Sequence, residues 1–376
     1  MHAASNQNAE AWRLQRFPRK PFGHLRMGLP SLRKRMGALP RSGLKCEPVA
    51  LATLGPQDVR IEGLAASLNF RDYAIALGLY APHQTLPLTI GSDFCGIVVE
   101  VGSDVTRFKP GDPIVTHYIQ DWLDGPGTHA LQRNTLGSPL QGVLATSCVL
   151  PEHGLVQTPK NLTAQEASTL PIAALTAWSA LTATANVRSD DVVLVQGSGG
   201  VSLFAVQLAN ALGADVIATT SSVSKAERLR ALGASDVIIT PHNHDWSDQV
   251  RRKVSGGVDV VLDVGGGATV TSSVRSLGHG GRVVCIGFLG GVEPKIPIQP
   301  LILNNASVVG VTVGSRSEFE DLIAFIETHD VVPIIDKVFS FNNVPNAFSR
   351  LASGRQFGKV VIDIDPENSA RKLGDL

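Results

Sequence analysis

A glycine-rich segment near the middle of the chain has the residue types and spacing of a nucleotide-binding turn. Residues 192–196 (VVLVQ) form an apolar run, and glycines follow with the pattern G-x-G-G. Gly197 permits a tight turn, and Gly199 leaves room for the backbone to approach a pyrophosphate. A helix starting here would offer free N–H groups and its positive dipole end to the phosphates. We predict that a dinucleotide binds to Gly197, Ser198, Gly199, Gly200 and Val201. The alternative is a plain glycine turn without a ligand.

The end of the next predicted strand bears on which cofactor binds. Sites for NAD usually have an acidic residue about 20 residues after the glycines, which binds the ribose 2′-hydroxyl. Residues 219–225 (TTSSVSK) contain hydroxyls and a lysine but no acid. A carboxylate would repel a 2′-phosphate, whereas hydroxyls and an ammonium bind it. We therefore predict NADP as the cofactor, held by Ser221, Ser222 and Lys225; the alternative for Lys225 is a solvated residue at a helix start.

Two further glycine turns follow predicted strands, at residues 265–267 and 287–289. In a doubly wound sheet, ligands bind beyond the carboxyl ends of the strands. Gly265, Gly287 and Phe288 are therefore candidates for contact with the nicotinamide half of the cofactor. Tight chain connections are an equally good interpretation of both turns.

The elements that must position these residues fall into blocks. Residues 47–162 contain short strands separated by turn signals, which predicts a small β-rich domain. Strands and helices alternate over residues 163–306, which predicts an α/β fold with a Rossmann doubly wound parallel sheet. Residues 307–376 return to mixed structure and are assigned to the first domain.

The first 46 residues differ from the rest. They contain ten Lys/Arg, one acidic residue and four prolines, which predicts a basic, poorly ordered arm. The remainder carries 23 basic and 32 acidic residues, a net charge of −9, which argues against nucleic acid as a partner. No apolar run approaches the roughly 20 residues that span a bilayer, so we predict no membrane partner. We expect a cytoplasmic protein; a mitochondrial transit peptide is the alternative, disfavoured by the prolines.

Several short motifs occur in the order and spacing of one family: residues 69–72 (NFRD), 91–96 (GSDFCG), 108–112 (FKPGD), 175–178 (LTAW) and the glycine segment. Over about residues 55–365 the chain resembles the zinc-independent, quinone-oxidoreductase-like branch of the medium-chain dehydrogenase/reductases. The resemblance implies a GroES-like substrate domain built from both ends of the chain, with the Rossmann domain inserted. It also implies hydride transfer from NADPH to a small-molecule substrate, and commonly a homodimer.

The zinc-ligand positions of this superfamily are altered here. Zinc-dependent relatives carry a Cys where this chain has Asn69 and a His where it has Ser92, and they have a lobe of four close cysteines. Residues 113–150 contain only Cys148. A catalytic zinc needs about three protein ligands and an open position. We therefore predict no metal.

The resemblance also implies which residues act on the substrate. It places Asn69, Asp72 and Tyr73 near substrate and nicotinamide, Thr176 near the carboxamide, and Arg316 in a turn that approaches cofactor or substrate. The alternatives are a turn cap for Asn69, a helix-start charge for Asp72 and core packing for Tyr73. Without a metal, acceptors whose charge spreads by conjugation are favoured: enones, enoyl thioesters and quinones.

The N-terminus departs from the family, which opens with about two strands before the segment matching residues 58–66. The predicted basic arm stands in their place, so part of the substrate domain is expected to be missing or rebuilt. That motivates an alternative, a non-catalytic NADPH-binding or structural relative. A zinc alcohol dehydrogenase-like enzyme is a further alternative, although the ligands are lacking.

Overall fold

Strands and helices alternate regularly only in the middle of the chain. The computed structural model describes residues 8–17, 43–80, 83–240 and 245–375. The strands are β1 (Asn8–Leu14), β2 (Leu44–Ala50), β3 (Asp58–Leu68), β4 (Leu88–Thr89), β5 (Asp93–Val101), β6 (Pro113–Thr116), β7 (Ser147–Pro151), β8 (Leu155–Gln157), β9 (Val192–Gln196), β10 (Asp215–Thr220), β11 (Asp236–Ile239), β12 (Val258–Asp263), β13 (Leu277–Cys285), β14 (Ser307–Gly310), β15 (Ile335–Ser340) and β16 (Lys359–Asp363).

The helices cluster after residue 163. They are α1 (Phe70–Ala76), α2 (Ala164–Ala167), α3 (Leu175–Ser179), α4 (Gly200–Ala211), α5 (Val223–Ala231), α6 (Ser247–Lys253), α7 (Val270–Ser276), α8 (Ile298–Leu303), α9 (Arg316–His329) and α10 (Val344–Ser353). Two π-helical segments, Leu170–Ala174 and Ala180–Thr184, flank α3. None of the helices in the described ranges is long and apolar enough to cross a membrane.

The described residues divide into two units. The first contains the residues up to Ile172 and those from Ser315 onward, and the second contains Ala173–Gly314. In the first unit, strands run in the order β15-β16-β3-β5-β6-β8, with β7 also paired to β3. A smaller sheet has the order β2-β1-β4. This β-rich unit, formed from both ends of the chain, confirms the predicted GroES-like architecture.

The prediction of a poorly ordered N-terminal arm is wrong for residues 8–14 and 44–46, which lie in strands. Asn8–Leu14 and Leu44–Ala50 pair as antiparallel strands, with Leu14 opposite Leu44. Ala11, Trp12 and Leu14 are buried, and the Trp12 indole N–H donates to the Phe341 carbonyl at 2.8 Å. The apolar residues of β1 gain burial in the first unit, which outweighs the basic composition around them. Residues 1–7 and 18–42 of the predicted arm lie outside the described residues.

These two strands also correct the expectation of a missing substrate-domain segment. The family's two opening strands are present as β1 and β2, and the departure is a long connection between them. β1 pairs with β4 on its other side, and Trp12 N–H donates to the Leu144 carbonyl at 3.0 Å. Strand β1 is therefore tied into the first unit by backbone hydrogen bonds.

The second unit contains the predicted parallel sheet. Its strand order is β11-β10-β9-β12-β13-β14, which is the Rossmann order, and every pair is parallel. Strand order reverses between β9 and β12, so a crevice for ligands is expected beyond the carboxyl ends of these two strands. Apolar residues fill both central strands because helices cover the sheet.

The predicted end of the Rossmann segment at residue 306 is wrong. Ser307–Gly310 pairs in parallel with β13, so it is the sixth strand of the same sheet. The segment reaches Gly314 before the chain returns to the first unit at Ser315. At the other boundary, residues 163–172, predicted to open the Rossmann domain, lie in the first unit. Strand pairing decides the first boundary, and packing of the helix Ala164–Ala167 against strands of the first unit decides the second. Local sequence patterns carry little information about either.

Candidate active site

The glycine segment forms a sharp turn between strand β9 and helix α4. Gly197 has φ +78°, a left-handed conformation that side chains disfavour. Gly199 caps α4, and a methyl group added there would meet no atom within 4 Å. The Ser202 hydroxyl donates to the Gln196 carbonyl at 2.7 Å and so closes the turn. The open space at Gly199 and the helix N-terminus fit a pyrophosphate.

The end of β10 is rich in hydroxyl groups. The Ser222 N–H donates to the Thr220 hydroxyl at 3.2 Å, and the Ser222 and Ser224 hydroxyls lie 2.9 Å apart. Ser221 is exposed, and Lys225 is half-buried in the first turn of α5. The three predicted 2′-phosphate ligands thus occur together at one strand end, without an acidic side chain among residues 219–225.

A buried carboxylate lies where the strand order reverses. Asp263, at the end of β12, is fully buried, and its Oδ2 accepts from Gln196 Nε2 at 3.0 Å and from the Ser273 hydroxyl. Its Oδ1 accepts from the backbone N–H groups of Gly265 (3.0 Å) and Gly266 (2.8 Å) and from the Thr269 hydroxyl (2.7 Å). Asp263 therefore holds the turn that follows its own strand and joins it to β9.

The two later glycine turns pack against each other. Gly290 N–H donates to the Gly265 carbonyl at 2.6 Å, and Gly267 N–H donates to the Gly291 carbonyl at 2.7 Å. A methyl group at Gly266, where φ is +66°, would lie 2.7 Å from the Phe288 Cα. The backbone of both turns therefore fits the interpretation as tight chain connections. Both turns also lie at the carboxyl ends of parallel strands. Contact of Gly265, Gly287 and Phe288 with the cofactor stays a prediction.

Thr176 also belongs to the second unit. It is buried in α3, and its hydroxyl donates to the Thr312 carbonyl at 3.3 Å. That bond joins α3 to the segment after β14. Its predicted contact with the nicotinamide carboxamide stays a prediction.

In the first unit, Asn69 lies in a cluster with a buried ion pair. Lys359 Nζ donates to Asn69 Oδ1 at 2.6 Å and to Asp93 Oδ2 at 3.0 Å. The same Asp93 oxygen accepts from Asn69 Nδ2 and from the Ser67 hydroxyl, both at 2.8 Å. Lys359 and Asp93 are buried, with exposed fractions of 4% and 0%. The ends of β3, β5 and β16 thus meet at the start of α1.

A second carboxylate, Asp72, lies beside this cluster. Its Oδ2 accepts the Asn69 N–H at 2.7 Å, which caps α1, and its Oδ1 accepts the Ser92 hydroxyl at 2.8 Å. Burial raises the pKa of Asp72, although the Arg71 charge and both hydrogen bonds oppose that rise. The structure fits the helix-start interpretation of Asp72, and its predicted position near substrate and nicotinamide stays a prediction.

Arg71 anchors the neighbouring loop. Its guanidinium donates to the Ser92 hydroxyl, the Leu136 carbonyl, the Thr135 hydroxyl and the Ser138 carbonyl, at 2.9–3.2 Å. It also lies over the Tyr118 ring, 4.8 Å from the ring centre. The loop that passes residues 135–138 is therefore held against the Asn69 and Ser92 positions.

Tyr73 and Arg316 complete the predicted residues of the first unit. Tyr73 follows Asp72 in α1 and is buried, and burial raises its pKa to about 12. Its phenol is therefore protonated at neutral pH and able to donate a hydrogen bond. Arg316 begins α9 and donates to the His153 carbonyl at 3.1 Å, while its Nε lies 3.4 Å from Glu320. Asn69, Asp72 and Tyr73 thus lie together at the start of α1. Arg316 instead contacts His153 and Glu320.

Comparison with known proteins identifies the family. Residues 55–160 match the model described as an alcohol dehydrogenase GroES-like domain, and residues 200–328 match that of a zinc-binding dehydrogenase. A zinc-type alcohol dehydrogenase-like protein of Schizosaccharomyces pombe is 40% identical over 319 residues, or 83% of this chain and 92% of the relative. The chain belongs to the medium-chain dehydrogenase/reductase superfamily.

Two further likenesses support this superfamily. Quinone oxidoreductase-like protein 2 of Bos taurus is 29% identical over 334 residues, which are 85% of this chain and 89% of the relative. A crystal structure of a putative alcohol dehydrogenase from Sinorhizobium meliloti has a TM-score of 0.85 and 37% identity, covering 96% of this chain and 100% of that one. The predicted superfamily and fold class are confirmed, and the chain is an NAD(P)-dependent oxidoreductase of this superfamily.

The residues of this chain do not match the zinc ligands of the zinc-dependent dehydrogenase/reductases. Asn69 and Ser92, at the positions of two zinc ligands, are neutral and engaged in hydrogen bonds to Asp93 and Asp72. Across the residues that the structure describes, no group of three or more His, Cys, Asp or Glu could hold a metal ion. The donor set therefore does not fit zinc.

Sequence reasoning missed three buried charged residues, Asp93 and Lys359 in the first unit and Asp263 in the second. Asp93 was within the quoted motif of residues 91–96, but no role followed from it. Lys359 opens a strand whose next three residues are apolar, and a lysine there signals a buried, paired cation. Asp263 ends a buried strand just before a glycine turn, a position where carboxylates accept backbone N–H groups.

Proposed function

We propose that this chain is an NADPH-dependent, zinc-independent reductase that delivers a hydride to a conjugated acceptor: an enone, an enoyl thioester or a quinone. The observation that carries the proposal is the pairing of an intact dinucleotide turn with altered metal positions. Gly197 and Gly199 keep the turn open, while Asn69 and Ser92 are hydrogen-bonded amide and hydroxyl groups.

The cofactor preference is supported by the end of β10. Ser221 and Ser222 offer hydroxyls, and Lys225 offers a charge within the first turn of α5. A 2′-phosphate gains charge-assisted hydrogen bonds from such groups, whereas the ribose hydroxyl of NADH gains little. NADPH is the proposed hydride donor.

Two hydrogen-bond donors of the first unit, Asn69 and Tyr73, support the proposal of a conjugated hydride acceptor. Hydride addition to a conjugated system places negative charge on a carbonyl oxygen, and donors near that oxygen lower the barrier. Asn69 has an amide N–H, and Tyr73 has a phenol that stays protonated because its pKa is about 12. Both groups are proposed to contact the substrate.

The decisive test follows NADPH absorbance with purified protein, an enone and a quinone, with NADH as the comparison. We expect turnover with NADPH that saturates in both substrates and is at least about tenfold slower with NADH. The variant Ser221→Asp should weaken NADPH binding about tenfold by repulsion and leave NADH binding nearly unchanged. Ser189→Asp, an exposed residue that precedes the amino end of β9, is the matched control.

Two outcomes would contradict the proposal. Absence of NADPH consumption with every enone, enoyl thioester and quinone would remove the reductase activity. Equal rates with NADH and NADPH, unchanged in Ser221→Asp, would remove the cofactor preference. The non-catalytic alternative depended on missing opening strands, and β1 and β2 supply them.

A homodimer is proposed through the open edge of the parallel sheet. β14 is an edge strand, and beside it in the chain α8 exposes Ile298 (61%), Ile302 (72%) and Leu303 (69%). An exposed edge and apolar patch of this kind favour association with a second copy. Ile302→Glu should shift the protein to monomers in sedimentation velocity, and a wild-type protein that is already monomeric would contradict the dimer. The cytoplasmic location stays a prediction.

A further inference from the structure

The orientation of the Asn69 amide is determined by its two buried neighbours. Lys359 carries only donors, so the atom of Asn69 that faces it is the oxygen, Oδ1, at 2.6 Å. The Asp93 carboxylate carries only acceptors, so the atom that faces it is Nδ2, at 2.8 Å. With a lysine on one side and a carboxylate on the other, a flipped amide would lose both bonds.

One N–H of Asn69 remains available. The amide nitrogen has two hydrogens, and Asp93 accepts one. Among the described residues, no other hydrogen-bond partner of this nitrogen is found, and Asn69 is half-buried, not sealed in the core. The cluster therefore leaves Asn69 Nδ2 with one hydrogen that no described residue accepts, while Oδ1 is directed to the Lys359 ammonium.

We propose that Lys359 is a positioning residue that commits Asn69 to act as a hydrogen-bond donor to the carbonyl oxygen of the substrate. The proposal rests on the proposed reductase function, because it concerns the acceptor of that reaction. It assigns a specific role to a buried cation that lies 290 residues from Asn69 in the chain.

The buried charge also strengthens the donor. A hydrogen bond from an ammonium to Oδ1 draws electron density from the amide, which makes its N–H groups better donors in a low-dielectric site. Asp93 keeps the ammonium in place through Oδ2, and the Ser67 hydroxyl donates to the same oxygen. Asp72 holds the backbone of Asn69 through its N–H. Main chain and side chain of Asn69 are thus held by different carboxylates.

The experiment compares Lys359→Met with Lys359→Arg in steady-state kinetics with an enone. Methionine keeps the length of the side chain and removes its charge and donors. We expect kcat of Lys359→Met to fall about 10–100-fold, with KM and NADPH Kd within about threefold, because the lost interaction acts in the transition state. Lys359→Arg, which retains a cationic donor, should recover at least about a third of wild-type kcat.

Two further variants keep the proposal falsifiable if Lys359→Met folds poorly. The double variant Lys359→Met/Asp93→Asn removes both buried charges together, so no unpaired carboxylate remains. It should fold and show the same fall in kcat. The matched control is Lys337→Met, on the exposed face of β15, which should keep wild-type kinetics. Wild-type kcat in the double variant would overturn the proposal.

A readout that needs no turnover separates this proposal from the proposed function. In ¹H–¹⁵N spectra, the Asn69 side-chain amide should show one proton protected by Asp93 and one that exchanges readily. Its ¹⁵N signal should shift in Lys359→Met and return towards the wild-type position in Lys359→Arg. An inactive wild type with these shifts would refute the reductase alone, whereas an unchanged Asn69 signal in Lys359→Met would refute the positioning role.

Discussion

Each unit has a buried aspartate at one end of a strand, Asp263 as the last residue of β12 and Asp93 as the first residue of β5, and their hydrogen-bond donors differ in kind. Asp263 accepts five neutral donors, shared between its two oxygens, and four of them lie within ten residues along the chain. Asp93 accepts three donors on Oδ2, one of them the Lys359 ammonium, 266 residues away. Its Oδ1 has no hydrogen-bond partner among the described residues.

This difference teaches how each unit stabilises a buried carboxylate. The glycine turn after β12 is organised by neutral, mostly local donors, so a buried charge is stabilised without a counter-ion. The Asp93 cluster depends on one distant cation, so its integrity and the orientation of Asn69 are coupled to the last strand. Loss of one cation therefore disturbs the Asp93 cluster, whereas the Asp263 arrangement has no counter-ion to lose.

The largest expected effect is on folding stability in the Asp93 cluster. Lys359→Met leaves a buried carboxylate without its counter-ion and should lower the free energy of unfolding by about 3–5 kcal/mol. The double variant Lys359→Met/Asp93→Asn should recover most of that loss. Urea unfolding followed by circular dichroism measures both, with Lys337→Met as the exposed control, expected within about 0.5 kcal/mol of wild type. Equal stability of Lys359→Met and wild type would show that the pair contributes nothing.

The corresponding change in the second unit should act on the cofactor. Asp263→Asn replaces one acceptor with an NH₂ group, which then faces donors and leaves at least one of them unpaired, at a cost of about 1–3 kcal/mol. Because the Gly265–Gly266 turn loosens, NADPH Kd should rise about tenfold. Fluorescence titration with NADPH measures this, and Asp93→Asn, in the other unit, should change Kd less than twofold. If Asp93→Asn raised the NADPH Kd more than Asp263→Asn, the assignment of cofactor binding to the Asp263 turn would be contradicted.

Substitutions in the glycine turn should affect folding stability and NADPH binding differently. Gly199→Ala should change the free energy of unfolding by less than about 0.5 kcal/mol, since the added methyl meets nothing within 4 Å and the backbone is ordinary, with φ −80°. The same methyl should raise NADPH Kd about tenfold, because it occupies space that the pyrophosphate needs. Gly197→Ala, at φ +78°, should lose about 1–2 kcal/mol of stability. Unchanged NADPH affinity in Gly199→Ala would place the cofactor elsewhere.

The smallest effect concerns pH. Because burial raises the pKa of Asp72 above its usual value of 3.8, the native state keeps a proton that the unfolded state has already released. Stability contributed by Asp72 is therefore present below about pH 4 and declines as pH rises through the native pKa. Asp72→Asn lacks this dependence, so the stability of wild type relative to the variant should fall with rising pH. Urea unfolding at several pH values tests the sign, and a rising difference would contradict it.

Prediction from sequence succeeded where neighbours along the chain decide the structure. The strand–turn–helix at Gly197 appears as expected, since it depends on residues within a few positions. Prediction failed for β1, because the basic and proline-rich composition around residues 8–14 obscured a strand whose burial depends on distant partners. The sixth strand of the parallel sheet was assigned to the wrong domain for the same reason.

The sequence by itself determined the glycine-rich turn between β9 and α4, the acid-free end of β10, and the replacement of zinc-ligand residue types by Asn69 and Ser92. These are properties of residue type and short spacing, which backbone sterics and side-chain chemistry translate directly into local structure. Only the tertiary structure decided that Lys359 meets Asn69 and Asp93, and that Gln196 meets Asp263. Such pairs form where strand ends from separate parts of the chain converge, because burial of a charge or amide is tolerable only beside a partner that the fold delivers.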